Sequence, residues 1–140
     1  MNKMRKLGID YGDSRVGIAV SDELNITAQG LETIHHNGND KIVLKRLEEI
    51  LGQYSIDTIV VGMPINMDGS KSFRVDITEK FIHKLKCKFN KILIETVDER
   101  LTTVQAHRTM NELGVKSKNK KNIVDTISAV YILETFINKK

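Results

Sequence analysis

Three acidic positions fall where the packing of an ordinary core does not call for them. Asp10 closes the apolar run 7–9 and is followed by Tyr11-Gly12. Asp98 and Glu99 close a second apolar run, 92–97. Asp125 lies in a helix-patterned segment whose same-face neighbours are Ser128, Ala129, Ile132 and Phe136. A carboxylate on that face is directed toward the body of the protein. The small residues at 128 and 129 let the helix come close to whatever it packs on. Where central strands run parallel, sites form at their carboxyl ends, and Asp10 and Asp98-Glu99 would both lie there. A helix crossing at that point adds Asp125. Carboxylates converging without Lys or Arg partners repel one another. Divalent cations relieve that repulsion, and hard oxygen donors suit Mg2+ or Mn2+. A metal pair clamping a phosphate would serve phosphodiester hydrolysis.

Each acid also has a purely structural role open to it. Asp10 can satisfy backbone groups of the Gly12 turn. Asp98 can cap a turn or pair with Arg100. Asp125, near the start of its helix, can face the positive dipole end. The combination, spread over the whole chain, favours a metal site over three separate caps.

Other chemistries have weaker support. Cys87 is the one cysteine, so no intramolecular disulfide forms, and it reads as a reduced thiol on a helix. His35 and His36 diverge if they lie on a strand and have no Cys or His partner at ligand spacing, so both are expected at the surface. His83 and His107 fall on helical patterns as solvated or packed residues. Candidate phosphate contacts are Arg15 in the hairpin, Lys71 and Arg74 beside Asp68-Gly69-Ser70, and the cluster Lys116, Lys118, Lys120 and Lys121 ahead of Asp125. Aromatic residues are only 5% of the chain, which argues against base-stacking readout of single strands. The net charge, 22 − 18 = +4, permits a phosphate-rich partner without demanding one.

The elements that must position these residues follow from periodicity. Runs 7–10 and 16–20 flank Tyr11-Gly12-Asp13-Ser14 and predict a β-hairpin. A third strand is expected near 31–36. Asn39 or Asp40 caps an amphipathic helix over 41–54, with Val43, Leu44, Leu47, Ile50 and Leu51 on its apolar face. The β-branched run 58–61 predicts a buried strand ended by Gly62 and Pro64. A loop over 66–72, a helix over 73–89 and a strand over 92–97 come next. Thr102 or Thr103 caps a helix through Leu113, stopped by Gly114. A lysine-rich connector spans 115–122, and a last helix spans 123–137. The order predicts one α/β domain over 1–140, with a mixed sheet covered by helices. No stretch suits a signal peptide or a membrane span, so a soluble cytoplasmic protein is expected.

The residues also carry a resemblance. Gly8-Ile9-Asp10-Tyr11-Gly12, followed by Arg15-Val16-Gly17-Ile18-Ala19-Val20-Ser21-Asp22, resembles the opening of the YqgF family, also called RuvX. Val61-Gly62-Met63-Pro64-Ile65-Asn66-Met67-Asp68-Gly69-Ser70 resembles its central signature. Val97-Asp98-Glu99-Arg100-Leu101-Thr102-Thr103 resembles its third, and residues 121–133 resemble its closing helix, with Ser128 where alanine is common. The four blocks occur in order across essentially the whole chain. The resemblance implies a ribonuclease H-like fold with a mixed five-stranded sheet flanked by helices. It implies a divalent-metal nuclease of ribosome biogenesis acting on pre-16S rRNA, or a Holliday junction resolvase acting on DNA as a dimer. By the same resemblance Asp10 is the first catalytic acid and Asp125 the helix acid. The second is Glu99 or Asp98, with Glu99 preferred; Asp10, Glu99 and Asp125 would hold Mg2+ or Mn2+.

Two readings of another class stand beside these. A nucleotide-binding switch of the actin and sugar-kinase type shares the Asp-x-Gly loop but needs a second similar domain, for which 140 residues leave no room. A non-catalytic RNA-binding assembly factor would keep the fold without needing all three acids. Monomer and homodimer are both open.

Overall fold

A computed structural model describes residues 4–66, 68–70, 73–99 and 117–138. Five strands, β1 Arg5–Tyr11, β2 Arg15–Ser21, β3 Ala28–His35, β4 Ile56–Met63 and β5 Leu93–Asp98, form one sheet in the order β3-β2-β1-β4-β5. β1 pairs antiparallel with β2, and β2 with β3, while β4 runs parallel to both β1 and β5. The ends of β1, β4 and β5 therefore share one edge of the sheet, and that edge carries Asp10 and Glu99.

Both faces of the sheet are covered, so its central strands read as nearly continuous apolar runs. One face packs on α1 Asp40–Gln53 and α2 Phe73–Lys88. Leu7, Ile9, Val16, Ile18, Ile59 and Val61 point there and meet Val43, Leu47 and Ile50 of α1 and Phe81 and Leu85 of α2. Asn39 caps α1, its side chain accepting from the Lys41 amide. The alternate residues, Ala19, Val60 and Val97, point to the other face. There they meet Ala129, Ile132 and Leu133 of a third helix, α3 Ser117–Ile137.

Glycine decides how close α3 lies. A Cβ at Gly17 would run into the backbone carbonyl of Asp125, and one at Gly62 into Ile132 and the Glu99 carboxylate. The helix thus rests directly on the strand backbones, which places Asp125 against the turn-proximal end of β2.

The structure departs from expectation at several boundaries, with β3 starting at Ala28 and β4 at Ile56, each ahead of the expected run. β4 does not end at Gly62 but continues through it to Met63, because Gly62 still pairs with Val97. α3 begins at Ser117, so residues 117–122 are helical rather than a connector. No Gly or Pro interrupts 117–137 and lysine is a good helix former, so nothing in that stretch opposes the helix. Asp125 consequently sits eight residues past Ser117, beyond the first turn where a helix dipole would stabilise it. The helix expected over 102–113 lies outside the described residues. Among the described residues, no helix is long and apolar enough to cross a membrane.

Candidate active site

Strand alternation assigns the acids. Asp10 shares the α3-facing side of β1 with Gly8, and Glu99 follows Val97 onto the same side. Asp98, between them in parity, pairs with Met63 and is exposed. β4 separates β1 from β5, but its residue at this level is Gly62, which has no side chain. Across that gap the Asp10 and Glu99 carboxyls hydrogen-bond to each other.

These carboxyls and Asp125 line a cavity of about 340 Å3, together with Ser128 of α3, Arg15 of β2 and Arg74 of α2. Gly12, Asp13 and Ser14 of the β1–β2 turn form its remaining wall. Burial pushes the Asp10 carboxyl well above the usual carboxylate range, and repulsion from Glu99 and Asp125 adds to this. Burial also raises Glu99, opposed by its hydrogen bond to Asp10 and by the Arg74 guanidinium. The pair therefore holds a proton more readily than isolated carboxyls do.

The expectation of acids converging without cationic partners is corrected here. Arg15 Nε lies 2.6 Å from Asp125 Oδ2, a part-buried ion pair, and Arg74 acts on both Asp10 and Glu99. Among the described residues no three His, Cys, Asp or Glu side chains are grouped tightly enough to hold one metal ion. The donor chemistry nonetheless fits a hard divalent cation. Asp10 and Glu99 offer paired oxygens held close by a proton that a cation would displace. Ser128 Oγ beside them is buried and finds no hydrogen-bond partner among the described residues, which suits it to pair with a metal-bound water.

The turn that leads into Arg15 is clamped by a residue expected at the surface. His35 is exposed, but His36 is 1% exposed. Its ring Nε2 is 2.9 Å from the Gly12 carbonyl, and its Nδ1 accepts from the Gly38 amide. This pairing requires a neutral ring with the proton on Nε2. The His36 amide donates to the Ser14 carbonyl at 2.9 Å. Tyr11 stacks on His36 and on Phe81, and its hydroxyl donates to Asp40. Desolvation and Asp40 push that phenol's pKa upward, so it stays a donor.

Of the basic candidates, the cavity gathers Arg15 and Arg74. Lys118, Lys120 and Lys121 fall in the first turns of α3, on the amino-terminal side of Asp125. Lys71 and Lys116 lie outside the described residues. Sequence reasoning missed Ser128 as a cavity residue and Gly62 as the gap between two acids. Helical spacing from Asp125 was the available signal for Ser128; Gly62 had none without the strand order.

Known proteins agree with this architecture. The family model described as "RuvX: Holliday junction resolvase" matches residues 4–139. A relative from Ruminiclostridium cellulolyticum is 54% identical over 97% of this chain and 95% of its own length. One from Acetivibrio thermocellus is 50% identical over 98% of this chain and 97% of its own. Each carries the name "Putative pre-16S rRNA nuclease". Among solved structures, Thermus thermophilus RuvC in complex with a Holliday junction substrate superposes with a TM-score of 0.52 at 14% identity, covering 96% of each chain. Fowlpox virus resolvase in complex with Holliday junction DNA gives 0.56 at 13% identity, covering 97% of this chain and 100% of its own. At such identities these structures speak to the fold, which is ribonuclease H-like. With the match running from residue 4 to residue 139, the chain belongs to the RuvX family.

Proposed function

We propose that this chain is a single-domain, divalent-metal-dependent nuclease that hydrolyses phosphodiester bonds in structured RNA, with the 5′ end of pre-16S rRNA as its substrate. The observation that carries the reading is the Asp10–Glu99 carboxyl pair meeting across Gly62 at the carboxyl ends of parallel strands. Mg2+ or Mn2+ held by Asp10 and Glu99, with Asp125 as third ligand, would supply polarisation of the phosphate and a more acidic attacking water. The chain's own residues do the rest. Arg15 and Arg74 flank the acids and orient the backbone phosphates, and Lys118, Lys120 and Lys121, in the first turns of α3, are proposed as further phosphate-binding residues. Asp98, exposed on the opposite side of β5, takes no part in catalysis. The names of the full-length relatives favour the RNA substrate.

The family description favours a second reading, resolution of four-way DNA junctions. A resolvase needs two sites related by a two-fold axis and makes paired, symmetric cuts. Purified protein should be given a 16S precursor RNA and a four-way DNA junction, each with Mg2+ or Mn2+, beside Asp10→Asn. RNA cleavage that the variant lacks supports the first reading. Symmetric junction cuts with the RNA left intact support the second.

A further inference from the structure

We propose that Arg15 is a latch: its guanidinium holds the Asp125 carboxylate until a nucleic-acid phosphate takes the guanidinium over, so that backbone and divalent cation bind cooperatively. The inference rests on the metal site of the proposed function but concerns how that site is assembled.

The contact is short and charge-assisted, with Arg15 Nε 2.6 Å from Asp125 Oδ2. Both partners stand on fixed backbone. Arg15 is the first residue of β2, its carbonyl accepts from the Gly12 amide, and the preceding turn is pinned twice by His36. Asp125 is pinned because α3 lies directly on Gly17. Only side-chain rotation is free to separate the pair. The Arg15 side chain is 29% exposed and the Asp125 side chain 16%, so the arginine offers an incoming strand the more accessible side chain of the two.

A planar guanidinium binds carboxylate or phosphate through the same fork of donors, and so exchanges one for the other. While it stays on Asp125, the third acid is neutralised, and no three acidic side chains among the described residues are grouped to take an ion. Once Arg15 moves to a phosphate, Asp125 is left uncompensated beside Asp10, on which its charge already acts. A cation is then drawn in. By reciprocity the cation weakens the latch and strengthens phosphate binding by the same factor. The arrangement weakens the site's hold on metal until substrate has arrived.

The test is Mn2+ binding by the full chain, read from the electron paramagnetic resonance signal of free Mn2+ and independent of cleavage. Arg15→Gln should bind Mn2+ at least about fivefold more tightly than wild type without nucleic acid. Adding Asp125→Asn should abolish that gain. Arg74→Gln also removes a cation from the cavity, but its effect should survive Asp125→Asn. A fully phosphorothioate RNA hairpin, with a hairpin-only titration as blank, should tighten Mn2+ binding to wild type and not to Arg15→Gln. Thermal melts confirm that each variant is folded, and Arg15→Lys, which keeps the charge without the fork, should fall between wild type and Arg15→Gln. Unchanged or weaker Mn2+ binding by folded Arg15→Gln overturns the latch. So does a gain that persists in the double variant, which marks simple charge removal. A protein that binds Mn2+ in this pattern yet cleaves nothing supports the latch while sinking the nuclease reading.

Discussion

Ser128→Ala removes a single oxygen whose surroundings make its effect calculable. Ser128 is 1% exposed, and its Oγ has no hydrogen-bond partner among the described residues. An unsatisfied buried hydroxyl costs roughly 1–3 kcal/mol relative to one that is paired or solvated. Deleting it forfeits a few dispersion contacts and leaves a space smaller than a methyl group, offsetting part of that gain. The net expectation for the metal-free protein is stabilisation by about 1 kcal/mol, or a Tm higher by about 3 °C for a chain of this size. Saturating Mg2+ should shrink the difference, because a metal-bound water gives the wild-type hydroxyl the partner it lacks. Calorimetric melts with a chelator and with Mg2+ measure both quantities. A metal-free Ser128→Ala that melts lower than wild type would refute the reasoning, since the hydroxyl would then have been satisfied within the protein.

Other expectations follow from the same cavity. Asp10→Asn should raise metal-free stability at neutral pH. A carboxyl whose folded pKa is raised loses stability as pH rises through its range, so the advantage should vanish below about pH 4, where the carboxyl is protonated folded or unfolded; urea titrations at several pH values measure it. Gly62→Ala puts a methyl group into Ile132 and the Glu99 carboxylate, and should cost about 2 kcal/mol or more and lower cleavage sharply, read by urea titration and initial rates. Neutralising Lys116, Lys118, Lys120 and Lys121 together should weaken RNA binding and flatten its salt dependence, read as the slope of log K against log salt. An unchanged slope would make those lysines a solvated surface.

Much of this arrangement is written in local sequence. β-branched runs mark the strands, and Asn39 marks the start of α1, because those signals depend on near neighbours. What depends on strand order was not legible. The preference for Glu99 over Asp98 turns on which side of β5 faces α3, and periodicity alone leaves that sign open. The Arg15–Asp125 pair joins residues 110 positions apart, so no spacing rule connects them. It exists because Gly17 admits α3 to the strand backbone. His36 is a different case. His36 lies one residue past β3 but continues its alternation, buried beside exposed His35, so its burial was within reach of the alternation rule. The early start of α3 was likewise readable from an unbroken run of residues compatible with a helix.

In the proposed function the Asp10–Glu99 pair holds the metal that drives phosphodiester hydrolysis. Single-turnover cleavage of an end-labelled 16S precursor RNA tests it most directly, with wild type, Asp10→Asn, Glu99→Gln, Asp125→Asn and Asp98→Asn compared in Mg2+, in Mn2+ and with chelator. Wild type and Asp98→Asn should cleave in either metal and not with chelator, and the other three variants should be at least about a hundredfold slower. Cleavage by wild type that persists with chelator, or by Asp10→Asn and Glu99→Gln at the wild-type rate, would contradict it.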